Sequence, residues 1–389
     1  MDIRRMKKSE IDQSLDLAQY AFQIHLTEEQ RRERRRTIVP QDNWVAVERG
    51  KVLSKVAIFP TVIYLGDVKM PMGGISGVAT WPEKRRGSLV RSLLKEALVD
   101  LRDRGVPISM LYPFSTSFYR KFGWEVFCDT KHWTVTKNQL PETGEPEGGS
   151  IRRIYQQDWQ ILDYIYQKWA KQYAGMIARS EQWWKNRTLQ RKKGNAAVYT
   201  DGNGFDSGYV LYEVKEQQLT VHEFVAWHED ARRELWRFLA NHDSMIETAK
   251  ISPAIDDPSR YMLPEPKIEE TRKSYFMARI VDVYPFLHQY PLDLPPEEAL
   301  VLHVEDDFCD WNNTSWQLYK SKEGRMEIKE VLSSHTGIEL TINTLTALVM
   351  GYITVREAER MSLVKGSKQQ LDLLDRVLPG FTPFMYDFF

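Results

Sequence analysis

The sequence predicts a multidomain α+β protein, and three observations lead there. Strand and helix patterns alternate between residues 44 and 112, and the same order returns between 195 and 250. Beyond about residue 286 the pattern changes to short alternating strands followed by helices. A chain of 389 residues has room for about two or three such domains.

Two stretches mark the divisions. Residues 138–150 are turn formers and acids with no apolar period, and 251–273 carry Pro253, Pro258, Pro264 and Pro266 among charges. The first is read as a linker and the second as a long loop. The expected domains are therefore 1–140, 150–285 and 286–389.

The first opens with a helix patterned by Ile11, Leu15, Leu17, Ala18, Ala21 and Phe22. A second helix, 28–36, carries Arg31, Arg32, Arg34, Arg35 and Arg36, which reads as a solvated face. Strands follow at 44–48 and 52–65, with turns at Gly50 and Gly66-Asp67, then a short glycine-rich strand at 73–80. A helix over 88–104 buries Leu89, Leu93, Ala97, Leu98 and Leu101, Gly105 stops it, and 108–112 is a further strand. In the second segment, strands at 196–199, 209–213 and 219–227 precede a helix at 231–241. The third has strands at 300–304, 316–319, 326–331 and 338–342. It also has helices at 344–350, with Asn343 as cap, and at 369–377.

Composition excludes several functions. Apolar residues make up 42 % and charged residues 28 %, so disorder is out, and 53 Lys+Arg against 54 Asp+Glu leave no basic field for nucleic acid or a membrane surface. Cys128 and Cys309 are too few for a disulfide framework or a Cys-rich metal site. No signal-like leader and no run of about 18 apolar residues is present, so a cytoplasmic protein without membrane contact is expected.

One junction carries chemistry. The strand ending Val78-Ala-Thr runs through Trp-Pro-Glu-Lys-Arg-Arg-Gly-Ser into an amphipathic helix beginning Leu89-Val. Free N–H groups and the dipole at that helix start make an anion site, to which Arg85, Arg86 and Gly87 add charge and backbone freedom. The matching junction of the second repeat, Trp227-His-Glu-Asp-Ala, puts Glu229 and Asp230 at the helix start, where they repel a phosphate. Only the first repeat is expected to bind one. Further on stands Ser117-Phe-Tyr-Arg-Lys-Phe-Gly-Trp, with Tyr119 in a short helix ended by Gly123.

These segments resemble the GNAT superfamily of N-acetyltransferases, and more narrowly the enhanced-intracellular-survival (Eis) family, to which Tyr112-Pro-Phe-Ser, Met277-Ala-Arg-Ile-Val-Asp-Val and the terminal Asp387-Phe-Phe also match. The resemblance implies tandem GNAT-type acyl-CoA N-acyltransferase domains, the second degenerate, followed by a sterol carrier protein 2-like domain. It implies acetyl-CoA as co-substrate and no metal. The backbone of Val78, Ala79 and Thr80 would bond the pantetheine arm; Arg85, Arg86, Gly87, Ser88, Leu89 and Val90 would cradle the pyrophosphate, and Ser115 would line the channel near the sulfur. Tyr119 matches the family's general acid and the carboxylate of Phe389 its base. The implied acceptor is a small-molecule primary amine, aminoglycoside-like polyamines first, with lysine side chains of peptides or proteins as the alternative. A homo-oligomer is also implied. The superfamily pattern Arg/Gln-x-x-Gly-x-Gly/Ala departs here: counted from Arg85, Ser88 and Val90 take the glycine positions; counted from Lys84, Gly87 takes the first and Leu89 the second.

The chemistry is coherent. A coenzyme thiol with a pKa of about 8.5 leaves as thiolate, and a tyrosine near about 10 is protonated at neutral pH and can donate to it. An α-carboxyl near about 3.5 suits orienting the ammonium and relaying its proton through water better than direct abstraction. The tail Phe381–Phe389 is too aromatic to hang loose and is expected to dock in a groove. Asp387 reads as a cation-binding wall or a solvated charge, and Glu305-Asp306-Asp307 as an attractant for a polycation or a wet turn. His222 and His228, roughly 20 Å apart along one strand, cannot share a metal, and Gly74-Ile-Ser-Gly misses the GxSxG hydrolase pattern. A lipid-carrier-like third domain leaves a non-catalytic acyl-CoA or lipid-binding protein as the other class of function.

Overall fold

The computed structural model describes residues 1–141, 148–155, 158–331 and 337–389, so part of the expected linker at 138–150 lies outside the described residues. The N-terminal part runs β1 (Asp2–Arg5), α1 (Ile11–Phe22), α2 (Glu28–Thr37), β2 (Asn43–Glu48), β3 (Lys51–Leu65), β4 (Val68–Thr80), α3 (Leu89–Asp103), β5 (Ile108–Leu111), α4 (Thr116–Arg120) and β6 (Glu125–Val126). The middle begins β7 (Asp129–Thr136), β8 (Ser150–Ile154), α5 (Trp159–Ala170), β9 (Tyr173–Ala174), α6 (Glu181–Trp183), a π-helical turn (Trp184–Thr188) and α7 (Leu189–Arg191). It continues β10 (Asn195–Thr200), β11 (Asp206–Lys215), β12 (Gln218–Ala226), α8 (Glu229–Ala240), β13 (Thr248–Ile251), β14 (Glu269–Ser274) and β15 (Met277–Ile280). The C-terminal part has α9 (Val283–Gln289), β16 (Ala299–Glu305), β17 (Thr314–Lys320), β18 (Met326–Val331), β19 (Ile338–Thr341), α10 (Ile342–Val349), α11 (Val355–Arg360), β20 (Val364–Lys365), α12 (Lys368–Val377) and β21 (Thr382–Pro383).

Among the described residues three main sheets carry the fold, in the orders β1-β2-β3-β4-β5-β15-β6, β14-β7-β13-β12-β11-β10-β8 and β18-β17-β16-β19-β20. The first two exchange strands. β15, which falls within 150–285, lies between β5 and β6, pairing Ile280 with Ile108 and Met277 with Val126. β7, which falls within 1–140, pairs instead with β13 and β14. Met277, Ala278, Arg279 and Ile280 are all buried, as a strand covered on both faces requires. Arg279 is neutralised there by Asp306 at 2.6 Å and bonds the Phe122 carbonyl. Its guanidinium occupies the space a Cβ on Gly123 (φ +84°) would need, so Gly123 answers both the backbone and the packing.

Several expectations shift. The glycine-rich strand starts at Val68, not Gly73, because β3 continues to pair with it through Leu65–Val68 and buries Met70 and Met72. The stretch 251–273 is not wholly a loop: β14 begins at Glu269 as an edge strand on β7. Thr341, not Asn343, caps α10, its hydroxyl accepting from Thr344 N at 3.2 Å. Asn343 instead donates to the carbonyls of Arg120 and Trp124 at 3.2 and 3.0 Å. In the triplet 305–307, Asp306 is the buried partner of Arg279 rather than a wet acid. The tail docks: Thr382 and Pro383 pair with β9, and Phe384, Met385 and Phe389 are buried.

Candidate active site

The site begins where two strands part. β4 and β5 run parallel only through Met72–Ile108, Gly73–Ser109 and Gly74–Met110. A register shift between Lys55 and Ala57 and a left-handed Gly77 (φ +59°) then turn β4 away, leaving residues 75–80 with a strand on the β3 side alone. Val78, Ala79 and Thr80 sit in this opening. The carbonyls of Ala79 and Thr80 accept from Ser54 Oγ at 3.0 Å and Arg85 Nε at 3.3 Å. Val78 has no such side-chain partner among the described residues.

At the mouth of the fork the chain enters α3. Lys84, Arg85, Arg86, Gly87 and Ser88 are at least partly exposed, and Arg86 (φ +65°) and Ser88 (φ +61°) take left-handed backbone around Gly87. Alternating handedness of this kind turns successive N–H groups toward one point, the geometry of an anion nest. No acid lies in the first turn of α3, and its first internal bond is Ser92 N to Ser88 O at 3.0 Å, which leaves the N–H groups before it free. The positive φ at Ser88 fits the register counted from Arg85: the first glycine position is where the backbone is left-handed. Gly87 needs no special freedom, since a Cβ there meets the Lys84 carbonyl only at 3.5 Å. Lys84 is engaged with Glu48 at 3.0 Å. Leu89 is buried and Val90 half-buried beneath the loop.

The second repeat is built the other way. Glu229 and Asp230 fill the first turn of α8, and the His228 imidazole accepts from Ala231 N at 3.3 Å, closing the helix start from within.

Two cores flank the first sheet. Tyr119, with Ile75, Leu89, Leu93 and Leu111, belongs to the α3 side; Met110 and Phe389 belong to the other. Ser115 caps α4, accepting from Phe118 N at 3.4 Å, and holds the Tyr119 helix at the end of β5. Tyr119 is 3 % exposed, ringed by Phe114, Phe118 and Trp124 at centroid distances of 5.5, 5.2 and 6.3 Å. Its hydroxyl makes no hydrogen bond to a described residue, and burial pushes its pKa above the ordinary 10. On the opposite side the Phe389 ring lies where a Cβ on Gly74 would stand, stacks on Phe59 at 6.1 Å and tilts against Phe276 at 4.9 Å. The fork thus has a buried phenol on one side of the sheet and the end of the tail on the other.

A buried ion network pins that tail. Arg179 binds Asp387 at 3.0 Å and Glu223 at 2.5 Å; Lys192 also binds Glu223, Tyr209 donates to it at 2.6 Å, and Trp183 Nε1 donates to Asp387 at 2.9 Å. Asp387 is therefore neither a cation-binding wall nor solvated. Burial pushes the Glu223 carboxyl up, but Arg179 and Lys192 outweigh it and hold the pKa at about 2. Sequence inspection missed Arg179, Glu223 and Lys192, which lie in an unpatterned stretch and a strand.

Among the described residues no cluster of three His, Cys, Asp or Glu side chains could hold a metal ion, and no helix is long and apolar enough to cross a membrane.

Comparison with known proteins agrees with this anatomy. Residues 2–127 and 175–280 each match an acetyltransferase (GNAT) domain, and 283–386 match a sterol carrier protein domain. An uncharacterised N-acetyltransferase of Streptomyces avermitilis is 25 % identical over 81 % of this chain and 80 % of its own. The N-acetyltransferase Eis of Mycobacterium tuberculosis is 28 % identical over 64 % of this chain and 66 % of its own. A solved probable N-acyltransferase from Enterococcus faecalis superposes with a TM-score of 0.91 at 25 % identity, covering 100 % of this chain and 99 % of that one. Two tandem GNAT domains, only the first with an open anion loop, and a sterol carrier domain define a GNAT-type N-acetyltransferase. Within that class the chain is similar to the Eis N-acetyltransferases. GNAT domains use acetyl-CoA as donor.

Proposed function

We propose that the chain transfers the acetyl group of acetyl-CoA to a primary amine at the β4–β5 fork, with donor binding confined to the first GNAT domain. The observation that carries this is the pairing of the fork with an acid-free, left-handed Arg86–Ser88 loop at the start of α3. We take 1–140 as the donor-binding unit, completed by β15, 150–285 as the unit that grips the tail, and 286–389 as the unit that delivers it.

Bound acetyl-CoA supplies a thioester already activated for acyl transfer. The N–H groups of Arg86–Val90 and the side chains of Arg85 and Arg86 hold its pyrophosphate. The backbone of Val78–Thr80 receives the pantetheine arm as a further strand, and Ser115 lines the channel at the end of β5. Tyr119 keeps its proton throughout neutral pH and donates to the sulfur as charge builds there. Because burial makes it the weaker acid, it works as a positioned donor in the transition state rather than as a proton reservoir. Where Phe389 ends the chain, its carboxylate stands across the sheet from Tyr119 and orients the attacking ammonium.

Aminoglycoside-like polyamines, carried over by resemblance, head the acceptor panel, with lysine peptides second. Thiol release from acetyl-CoA above background with at least one amine is the expected result. No release across the panel, with acetyl-CoA still bound, supports the non-catalytic acyl-CoA-binding reading instead.

A further inference from the structure

The first sheet packs one face against α3 and the other against residues of the second GNAT domain and the sterol carrier domain. Met110 and Tyr112, two residues apart across the end of β5, share that second face with Phe389. Tyr112 touches the Phe388 ring at 5.1 Å, and Phe389 reaches Gly74 at the fork. Tyr112 also borders a cavity of about 400 Å³ between the two GNAT domains, walled on one side by tail residues 384–386. A continuous line of contacts therefore leads from the fork, past the last two aromatic rings, into this cavity.

Its lining is one-sided in charge. Lys131, His132, Lys192, His222 and Lys273 border it, and no Asp or Glu does. On the way from the fork stand Arg187, whose guanidinium lies 4.9 Å over the Phe59 ring, and Arg191, 4.9 Å over Phe388. The two buried carboxylates nearby, Glu223 and Asp387, are matched by Lys192 and Arg179. Lys131, Lys273, Arg187 and Arg191 have no carboxylate within ion-pair distance among the described residues. The carboxylates that act on Lys131 from further off are already engaged: Asp257 by Arg232 at 2.6 Å, Glu270 by Trp133 at 2.7 Å, and Asp256 by Tyr173 at 2.9 Å. His222 Nε2 is buried without a hydrogen-bond partner among the described residues. Burial comes first in lowering the pKa values of His132 and His222, and their neighbours Lys273 and Lys192 lower them further. A pocket whose cations repel one another is relieved by an anion.

We propose that the cavity between the GNAT domains holds the far end of the acceptor, and that the acceptor is an amine carrying an oxyanion, carboxylate or phosphate, at that end. This rests on the acetyltransferase reading and adds its substrate class: the amine lies at the fork beside Phe389, and the anion is received by Lys131 and Lys273. A second cation at the far end of the acceptor meets repulsion from Lys131 and Lys273.

The test compares ε-aminocaproate and aminopentyl phosphate with the neutral ε-aminocaproamide and the diamine cadaverine, read as kcat/KM by thiol release and as direct binding by calorimetry. One or both anionic amines are expected to exceed the amide at least tenfold, about 1.4 kcal/mol, with cadaverine poorest; the two arms decide between carboxylate and phosphate. Lys273→Glu, at an exposed position, is expected to raise KM for the anionic amine about tenfold and to bring the amide level with it. Equal or better turnover of cadaverine, or a Lys273→Glu protein with an unchanged ratio, overturns the proposal while leaving the acetyltransferase reading intact. Calorimetric binding of ε-aminocaproate that Lys273→Glu weakens, without thiol release from any amine, supports the pocket and removes the transferase reading.

Discussion

The helix starts of α3 and α8 occupy the same place in two copies of one fold and have been put to opposite uses. At α3 the loop is basic, its backbone alternates in hand, and the first-turn N–H groups are free. At α8 two acids occupy the first turn and an imidazole accepts from Ala231 N. The second domain places its charge elsewhere, in the Arg179–Glu223–Asp387–Lys192 network that grips the tail. The second domain closes its helix start with its own side chains and carries a structural network instead.

The largest effect is expected from breaking that network. Arg179→Met leaves Asp387 as a buried unpaired charge and Glu223 with Lys192 alone, and is expected to cost about 3–5 kcal/mol, seen as a lowered denaturation midpoint. Acid probes the same network. Glu223 falls from an ordinary 4.5 to about 2 on folding, so the unfolded chain binds more protons between those values. Its contribution to stability is complete above pH 4.5 and disappears as pH drops toward 2, a dependence that Glu223→Gln should flatten.

Next comes the first domain's chemistry. Tyr119→Phe is expected to lower kcat about 100-fold while acetyl-CoA affinity is unchanged. Unaltered turnover would take the phenol out of the reaction. Arg86→Glu imitates α8 in α3 and should weaken acetyl-CoA binding about tenfold or more, whereas Asp230→Asn in α8 should leave it alone. If both changes have equal effect, the contrast between the two helix starts is false. Ser88→Gly is the mildest: relief of left-handed strain is offset by unfolded-chain entropy, so stability should move by less than about 1 kcal/mol. Acetyl-CoA affinity should hold or rise.

Local signals made α3, its loop and the short Tyr119 helix legible, because a helix of period 3.6 beginning after a basic turn is written within one stretch of chain. The role of the Val78–Thr80 backbone came only through resemblance, and the β4–β5 fork around it has no local signal. The strand exchange has none either, since β15 has the composition of any buried strand and nothing local states which sheet takes it. Asn343 and Thr341 are both good caps two residues apart, and composition does not choose between them. Asp387 was misread because its partner Arg179 lies far back in the chain. The basic cavity was invisible for the same reason: Tyr112, Lys131, Lys192, His222 and Lys273 come from five separated segments of an electrically balanced sequence.

Because β15 fills the slot between β5 and β6 while β7 is lent to the neighbouring sheet, the two GNAT domains are laced together rather than strung in a row. A fragment ending at residue 140 would keep β5 and β6 but lack the strand that joins them. Conversely, a polypeptide nicked between the domains should still travel as one particle until denatured, each half wearing a piece of the other.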